Sequence, residues 1–179
     1  SLTDKTVKKD EVSIFSPLFD QSKCVKCGKC RDACYRHAIL QFPDQFPSVM
    51  ENMCSGCMVC QRICPEDAID SQKRKIGTKF YLNQPLSNLD VIVGELTPGE
   101  AVSVLIVEDL LKYAENFEKE KNYDIIVIDT APGAHCDVEK SLSTAALTIA
   151  VTEPTPFGLH DLNRIVELLK LNNHEASII

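Results

Sequence analysis

Two stretches of this chain carry the same cysteine pattern: residues 24–34 read CVKCGKCRDAC, and residues 54–64 read CSGCMVCQRIC. Each contains four cysteines in the spacing C-x2-C-x2-C-x3-C, and the second set lies thirty positions after the first. Beyond the cysteines, Ala38-Ile39 recurs as Ala68-Ile69. The cysteine-rich part is therefore an internal repeat, in which two similar units build one fold.

This spacing predicts two iron–sulfur clusters. Three thiolates spaced by two residues can present their sulfurs to one corner of a cubane, whereas the fourth cysteine starts a helix that points towards the other cluster. Each cluster is then held by three cysteines of one repeat and the last cysteine of the other. The predicted sets are Cys24, Cys27, Cys30 and Cys64 for one cluster, and Cys54, Cys57, Cys60 and Cys34 for the other.

Two other interpretations of the cysteines stay open. Structural zinc sites with four cysteine ligands also use C-x2-C, although they do not need a third cysteine so close. A disulfide framework would need an oxidising compartment. The first residues of the chain form no apolar signal core, so a cytoplasmic location is expected.

Residues 22–70 resemble the bacterial-type ferredoxins that carry two [4Fe–4S] clusters. The resemblance implies a compact βαβ-repeat fold and one-electron transfer at low potential. Gly28 and Gly56 would allow close backbone approach to sulfur. Pro65 follows Cys64 as the bacterial pattern expects, whereas Tyr35 follows the last cysteine of the first repeat.

Charge and composition exclude other classes of function. The net charge is −7, there is no Trp and only 6% of residues are aromatic, which argues against nucleic acid as a partner. The longest nearly apolar run, residues 145–151, is too short to span a membrane.

The second part of the chain has the pattern of alternating strands and helices. Runs typical of strands are residues 91–93, 125–128, 147–152 and 176–179. Helices are predicted from Thr97, a capping residue followed by Pro98, and from about His160 to Leu171. This alternation predicts a parallel α/β sheet. The polar residues 71–75 are predicted to be the linker between the two parts.

Two segments resemble the MinD/ParA-type P-loop ATPases, relatives of the nitrogenase iron protein, in the subgroup with an inserted two-cluster ferredoxin. They are residues 123–133, YDIIVIDTAPG, and residues 149–162, IAVTEPTPFGLHDL. The resemblance implies that Asp129 is the Walker B carboxylate, that Thr130 to Gly133 form the switch loop, and that the intact protein binds ATP and Mg²⁺.

The chain lacks the glycine-rich phosphate loop of these ATPases. Only Gly94 and Gly99 have the required spacing, and Glu100-Ala101 follows where Lys and Ser or Thr should stand. We therefore expect that the chain is a fragment of a longer ATPase and does not hydrolyse ATP by itself.

The predicted fold is α/β, a ferredoxin-type βαβ-repeat two-cluster module joined to part of a parallel-sheet P-loop NTPase-like domain. Residues 1–21 are assigned to the N-terminal segment of the ATPase-like part or to a linker, 22–72 to the ferredoxin domain and 73–179 to the partial ATPase domain. The predicted function is electron transfer to a redox partner protein, gated by nucleotide in the intact protein, with a homodimer left open. The alternative is an ATPase for iron–sulfur cluster assembly or delivery. Cys136 is interpreted as a core residue, with a redox thiol as the alternative.

Overall fold

The computed structural model describes residues 6–84, 89–121 and 123–179. It has two compact units, a first unit that ends at Val102 and a second unit that begins at Ser103. The elements of the first unit are β1 (Thr6–Phe19), α1 (Lys29–Asp32), β2 (Ile39–Leu40), β3 (Ser48–Val49), a 3-10 turn (Glu51–Met53), α2 (Val59–Arg62), β4 (Ile69–Gln84) and β5 (Leu89–Leu96). Those of the second unit are α3 (Val104–Lys121), α4 (Cys136–Leu142), β6 (Thr148–Ala150), α5 (Pro156–Leu171) and β7 (Ala176–Ile178).

An antiparallel sheet of order β1-β4-β5 forms the frame of the first unit. The pairing of β1 with β4 shifts register between Val12 and Ser13, which leaves Ile76 of β4 without a direct partner. Such an extra residue is a β-bulge, and it bends the strand. Ile76 is fully buried, so the bulge places an apolar side chain in the core.

The internal repeat of the sequence is also a repeat of structure. The end of β1 pairs with the start of β4 through Phe19 and Ile69, and β2 pairs with β3 through Ile39 and Val49. The second pair repeats the first, because Val49 lies thirty positions after Phe19 and Ile69 lies thirty positions after Ile39. Beside these pairs, the amide of Asp20 donates to the Ala68 carbonyl at 2.9 Å, and the amide of Met50 donates to the Ala38 carbonyl at 2.7 Å. A short helix, α1 or α2, lies between the two strands that each repeat contributes.

A small core of three buried residues, Val138, Leu142 and Leu169, joins α4 to α5 in the second unit. The helix α5 begins at Pro156 rather than near His160, because the Thr155 hydroxyl accepts a hydrogen bond from the Gly158 amide at 3.0 Å and caps the helix. Strands β6 and β7 pair in parallel.

The polar residues 71–75 do not form a linker. They lie inside β4, where Ser71 pairs with Pro17 and Lys75 pairs with Ser13. All five residues are polar, and their exposure alternates as in a strand with one exposed face, which composition alone does not distinguish from a linker. The domain boundaries after residues 21 and 72 stay predictions.

Residues 125–128 are not a buried parallel strand. They pair with no strand among the described residues, and Ile125 and Val127 are 78% and 85% exposed. A continuous run of β-branched residues predicts a strand, but a strand also needs neighbouring strands that form hydrogen bonds with its backbone.

The helix predicted from Thr97 begins instead at Val104. Gly99 has a φ of 84°, and the Glu100 amide donates to the Thr97 carbonyl at 3.0 Å, so these residues form a tight turn. The left-handed glycine stops the helix from starting there, because helical residues have negative φ.

The observed architecture is mixed α/β. The pairings in the first unit are antiparallel, and the described residues do not show the parallel sheet of a P-loop NTPase. No helix within the described ranges combines the length and the apolar character that crossing a membrane requires.

Candidate metal centre

Two pockets in the first unit are each lined by one of the cysteine sets predicted from the spacing. The cysteines of the first pocket are Cys24, Cys27, Cys30 and Cys64. The cysteines of the second pocket are Cys34, Cys54, Cys57 and Cys60. Each pocket thus takes three thiols from one repeat and one from the other.

The two repeats place their cysteines at matching depths. Cys30 and Cys60 are buried, Cys27 and Cys57 are exposed, and the remaining four are half-buried. Cys30 and Cys60 pack with Ile39 and Ile69 into one apolar cluster, against which the side chains of Phe15 and Phe19 lie. The two pockets therefore share one apolar core.

Residues with left-handed backbone shape both cysteine loops. The positions are 26 and 28 in the first repeat and 56 and 58 in the second, each with positive φ. Gly28 matches Met58 in the repeat, and Gly56 matches Lys26. The two glycines singled out in the sequence therefore occupy different positions of the loop, and in each loop a side-chain-bearing residue takes the other one. This conformation costs about 1–2 kcal/mol for a residue with a side chain.

Charges and amides surround the sulfurs. Burial raises the pKa of the Cys30 and Cys54 thiols, and it raises the pKa of Cys60 to about 11. Backbone amides oppose this rise: that of Gly56 bonds to Cys54, and that of Gln61 bonds to Cys60. Ionisation of these thiols in the buried loops therefore needs a cation, which a bound metal centre supplies.

The donor set fits [4Fe–4S] clusters. All nine cysteines are free thiols, so the structure pairs none of them in a disulfide. Among the described residues, no three side chains of His, Cys, Asp or Glu lie close enough together to hold a single metal ion. Four thiols around one pocket are the ligands that a [4Fe–4S] cluster uses, one sulfur to each iron.

A buried ion pair lies beside the second pocket. Both terminal nitrogens of Arg74 donate to the Glu100 carboxylate, and Nη2 also donates to the Cys54 carbonyl at 3.0 Å. The two side chains are only 11% and 4% exposed. Neither residue was singled out as functional from the sequence. From the sequence, Glu100 is assigned to the helix start after Thr97 and is unsuitable for a phosphate loop, and Arg74 is assigned to the polar linker.

The first pocket has a different support. Lys26 donates from Nζ to the Asp44 carbonyl at 2.9 Å and lies 4.4 Å from the centre of the Phe46 ring. The Gln41 side chain donates to the carbonyls of Lys26 and Gln45. These contacts tie the first cysteine loop to the segment between β2 and β3, and the ends of Lys26 and Asp44 lie at the surface.

The residues predicted to bind nucleotide lie in the second unit. Asp129 and Thr130 are exposed on the segment that precedes α4, and Gly133 has a φ of 97°. Cys136, the first residue of α4, is exposed rather than part of a core. Its interpretation as a core residue is therefore wrong.

Comparisons with known proteins match both parts of the chain. The profile of the 4Fe-4S dicluster domain family matches residues 18–71. The uncharacterized protein MJ0579 of Methanocaldococcus jannaschii is 35% identical over 169 residues, 94% of this chain and 58% of that protein. The chain therefore spans little more than half the length of this relative.

Two shorter relatives match the cysteine-rich part. The pyruvate synthase subunit PorD of the same organism is 36% identical over 55 residues, 31% of this chain and 64% of that protein. A ferredoxin of Methanothermococcus thermolithotrophicus is 35% identical over 51 residues, 28% of this chain and 85% of that ferredoxin. The match covers 85% of that ferredoxin, and the profile of the dicluster domain matches residues 18–71. Through these residues, the chain therefore belongs to the 4Fe-4S dicluster ferredoxin family.

Proposed function

We propose that the first unit holds two [4Fe–4S] clusters and passes single electrons to or from a redox partner protein. The observation that carries the proposal is that each of two pockets is lined by one interleaved cysteine set. Cys24, Cys27, Cys30 and Cys64 would hold one cluster, and Cys34, Cys54, Cys57 and Cys60 the other.

The residues of the chain would ligate the clusters, bury them and fix their orientation, and the clusters would supply the one-electron chemistry. Cys30 and Cys60, the buried thiols, lie nearest the shared apolar core, where the low polarity strengthens electrostatic interactions. The amide of Ala68 donates to the Cys64 sulfur at 3.3 Å. Hydrogen bonds of this kind tune the reduction potential of iron–sulfur centres.

Anaerobic purification or reconstitution tests the ligand assignment. We expect iron and sulfide for two clusters per chain, and visible absorption that dithionite bleaches. Cys34→Ser should labilise the cluster of the second pocket and Cys64→Ser that of the first, although each residue belongs to the opposite repeat. A colourless protein with stoichiometric zinc would refute the assignment, and so would loss of the cluster from the residue's own repeat.

The redox partner is proposed to be a protein. A relative of the cysteine-rich part is named as a subunit of pyruvate synthase, which supports a role beside other subunits. Exposed Cys27 and Cys57 put one edge of each pocket at the surface, where a partner could approach. Oxidation of the reduced protein by a candidate partner, followed by stopped-flow absorbance, tests this assignment.

In a longer protein, we infer that nucleotide bound by the ATPase-like part gates the transfer. The inference is supported by the resemblance of residues 123–133 and 149–162, in which Asp129, Thr130 and Gly133 would contact the nucleotide and Mg²⁺. It predicts that ATP changes the electron-transfer rate of the full-length protein and that Asp129→Asn abolishes this change. An ATP-independent rate would refute gating, and sedimentation with and without ATP would test the homodimer.

The exposure of Cys27 and Cys57 favours a second candidate, the assembly or delivery of clusters. A delivery protein releases its cluster to an acceptor, whereas an electron carrier retains it. Incubation of the loaded protein with an apo-ferredoxin separates the two. Retention of both clusters over many turnovers of reduction supports electron transfer, and rapid loss to the acceptor supports delivery.

A further inference from the structure

The two pockets have the same backbone but different electrostatic surroundings. The second pocket has the buried pair Arg74–Glu100 beside it, whereas the cations that line the two pockets are exposed: Lys26 and Lys29 at the first and Arg36 at the second. Water screens exposed charges, and a charge in the interior acts on its neighbours much more strongly. The two clusters should therefore not be equally easy to reduce.

The geometry of the pair gives the direction of the difference. Arg74 contacts the second cysteine loop directly, because its Nη2 donates to the Cys54 carbonyl at 3.0 Å. Glu100 accepts from the guanidinium and lies in the turn after β5, which the Thr97 amide fixes to the Ile76 carbonyl at 2.9 Å. The positive member of the pair thus touches the loop, and the negative member partly offsets its charge.

Reduction adds one negative charge to an iron–sulfur cluster, so a nearby buried cation favours the reduced state. We propose that Arg74 makes the cluster of the second pocket the easier of the two to reduce, and that Glu100 attenuates this effect and holds the guanidinium against the Cys54 carbonyl. The proposal rests on the proposed function, because it concerns the potentials of the two clusters. Arg74 is a positioning residue: it would act on the cluster through its hydrogen bond to the second cysteine loop and through the electric field of its charge.

An anaerobic redox titration followed by electron paramagnetic resonance tests it. Cys27→Ser and Cys57→Ser, exposed cysteines at the same place in each loop, assign the signals of the first and second clusters. The wild-type protein should reduce its second cluster first. Glu100→Gln should raise the reduction potential of that cluster, and Arg74→Gln should lower it. Each shift should change the ratio of reduced to oxidised cluster at least tenfold, which is about 59 mV for one electron.

The exposed pair Lys75–Glu11 supplies matched controls. Lys75 follows Arg74 on β4 but its side chain is 43% exposed, and it pairs with a Glu11 side chain that is 65% exposed. Lys75→Gln and Glu11→Gln remove the same charges and should leave both potentials within a twofold change of that ratio. Equal shifts from the control and buried-pair variants would overturn the proposal.

The outcomes separate this proposal from the function on which it rests. A wild-type protein without clusters refutes the proposed function. A wild-type protein with two clusters, in which Glu100→Gln and Arg74→Gln move the potential in the same direction or move both clusters equally, refutes only the role of Arg74. If Arg74→Gln loses a cluster, loss of the second alone supports the positioning role and loss of both overturns it. Arg74→Lys, which keeps the charge, should leave the reduction potential of the second cluster close to that of the wild-type protein.

Discussion

The two cysteine loops of the first unit show how one backbone can have two kinds of support. Both loops have left-handed residues at matching positions, matching cysteine depths and matching strand pairs. The first loop, however, is tied by Lys26 and Gln41 to a surface segment. The second is held by the buried Arg74–Glu100 pair, and its Gly56 lies close against Ile14 and Phe15 of β1.

The similarity of the two pockets and the difference between them come from different parts of the chain. The repeat itself supplies the cysteines, the short helices and the paired strand ends. Arg74 and Glu100 lie outside it, on the part of β4 that pairs with β1 and in the turn after β5. The long sheet therefore does more than extend the repeat. It places the buried Arg74–Glu100 pair and part of β1 beside the second pocket.

The largest expected effect comes from breaking the buried pair. Glu100→Ala leaves the Arg74 guanidinium buried and uncompensated, which costs about 3–5 kcal/mol of stability. For a unit of about a hundred residues this corresponds to roughly 15 °C or more in the thermal midpoint. Calorimetry of the loaded protein under argon, at one scan rate, measures the shift.

Glu11→Ala is the matched control for that experiment. It removes the same type of side chain from the exposed pair with Lys75, and it should cost less than about 1 kcal/mol. If the two variants shift the midpoint equally, the second loop does not depend on its buried charges, and the contrast between the two supports fails.

The two loop glycines should differ in their tolerance of a methyl group. Both have positive φ, so alanine costs about 1–2 kcal/mol at either position. At Gly28 the new Cβ would meet the flexible ends of Arg31, at 3.3 Å, and of Asp32, at 3.8 Å. At Gly56 it would meet the Ile14 Cβ at 3.1 Å and the Phe15 carbonyl at 3.2 Å.

Gly56→Ala should therefore destabilise the protein by about 3 kcal/mol and Gly28→Ala by about 1 kcal/mol, since overpacking adds about 1–3 kcal/mol. Thermal midpoints of the two variants, compared with cluster content after desalting, check the order. A larger loss at Gly28 would contradict the close packing of β1 on the second loop.

The reverse substitution should stabilise one loop. Met58 has a φ of 63°, and Met58→Gly removes the strain at some cost in the entropy of the unfolded chain, for a net gain of about 0.5–1 kcal/mol. Lys26→Gly, at the left-handed position of the first loop that matches Gly56, also loses the contacts to Asp44 and Phe46, so it should bring no gain. Unfolding midpoints of the pair measure the difference, and stabilisation by both variants would show that the Lys26 contacts contribute nothing.

Much of the candidate site could be predicted from the sequence, because cysteine spacing restricts which sulfurs can surround one cluster. The strand ends of the repeat were recognised in part: Ala38-Ile39 and Ala68-Ile69 were visible, but Phe19 and Val49 carry no shared residue type. Arg74 and Glu100 were missed, since they lie twenty-six positions apart and meet only when β4 and the turn after β5 are in place. Hydrophobic runs predicted elements such as β6, β7 and α5, but not the strand partners that residues 125–128 would have needed.

The smallest expected effect concerns Asp20, whose place in the second repeat is taken by Met50. Hydrogen bonds from the Ser22 hydroxyl and amide lower the pKa of Asp20 below its ordinary value of 3.8. A carboxyl group whose pKa is lowered by folding stabilises the folded state above its unfolded pKa, and this contribution is lost as the pH falls through the lowered value. Asp20→Asn should therefore lower the thermal midpoint slightly at pH 7, and the difference from wild type should shrink as the pH falls below 3.8. A difference that stays constant over this range would show that the Asp20 side chain acts through its shape alone. The residue before the first cysteine loop would then need no charge, just as Met50, which precedes the second loop, has none.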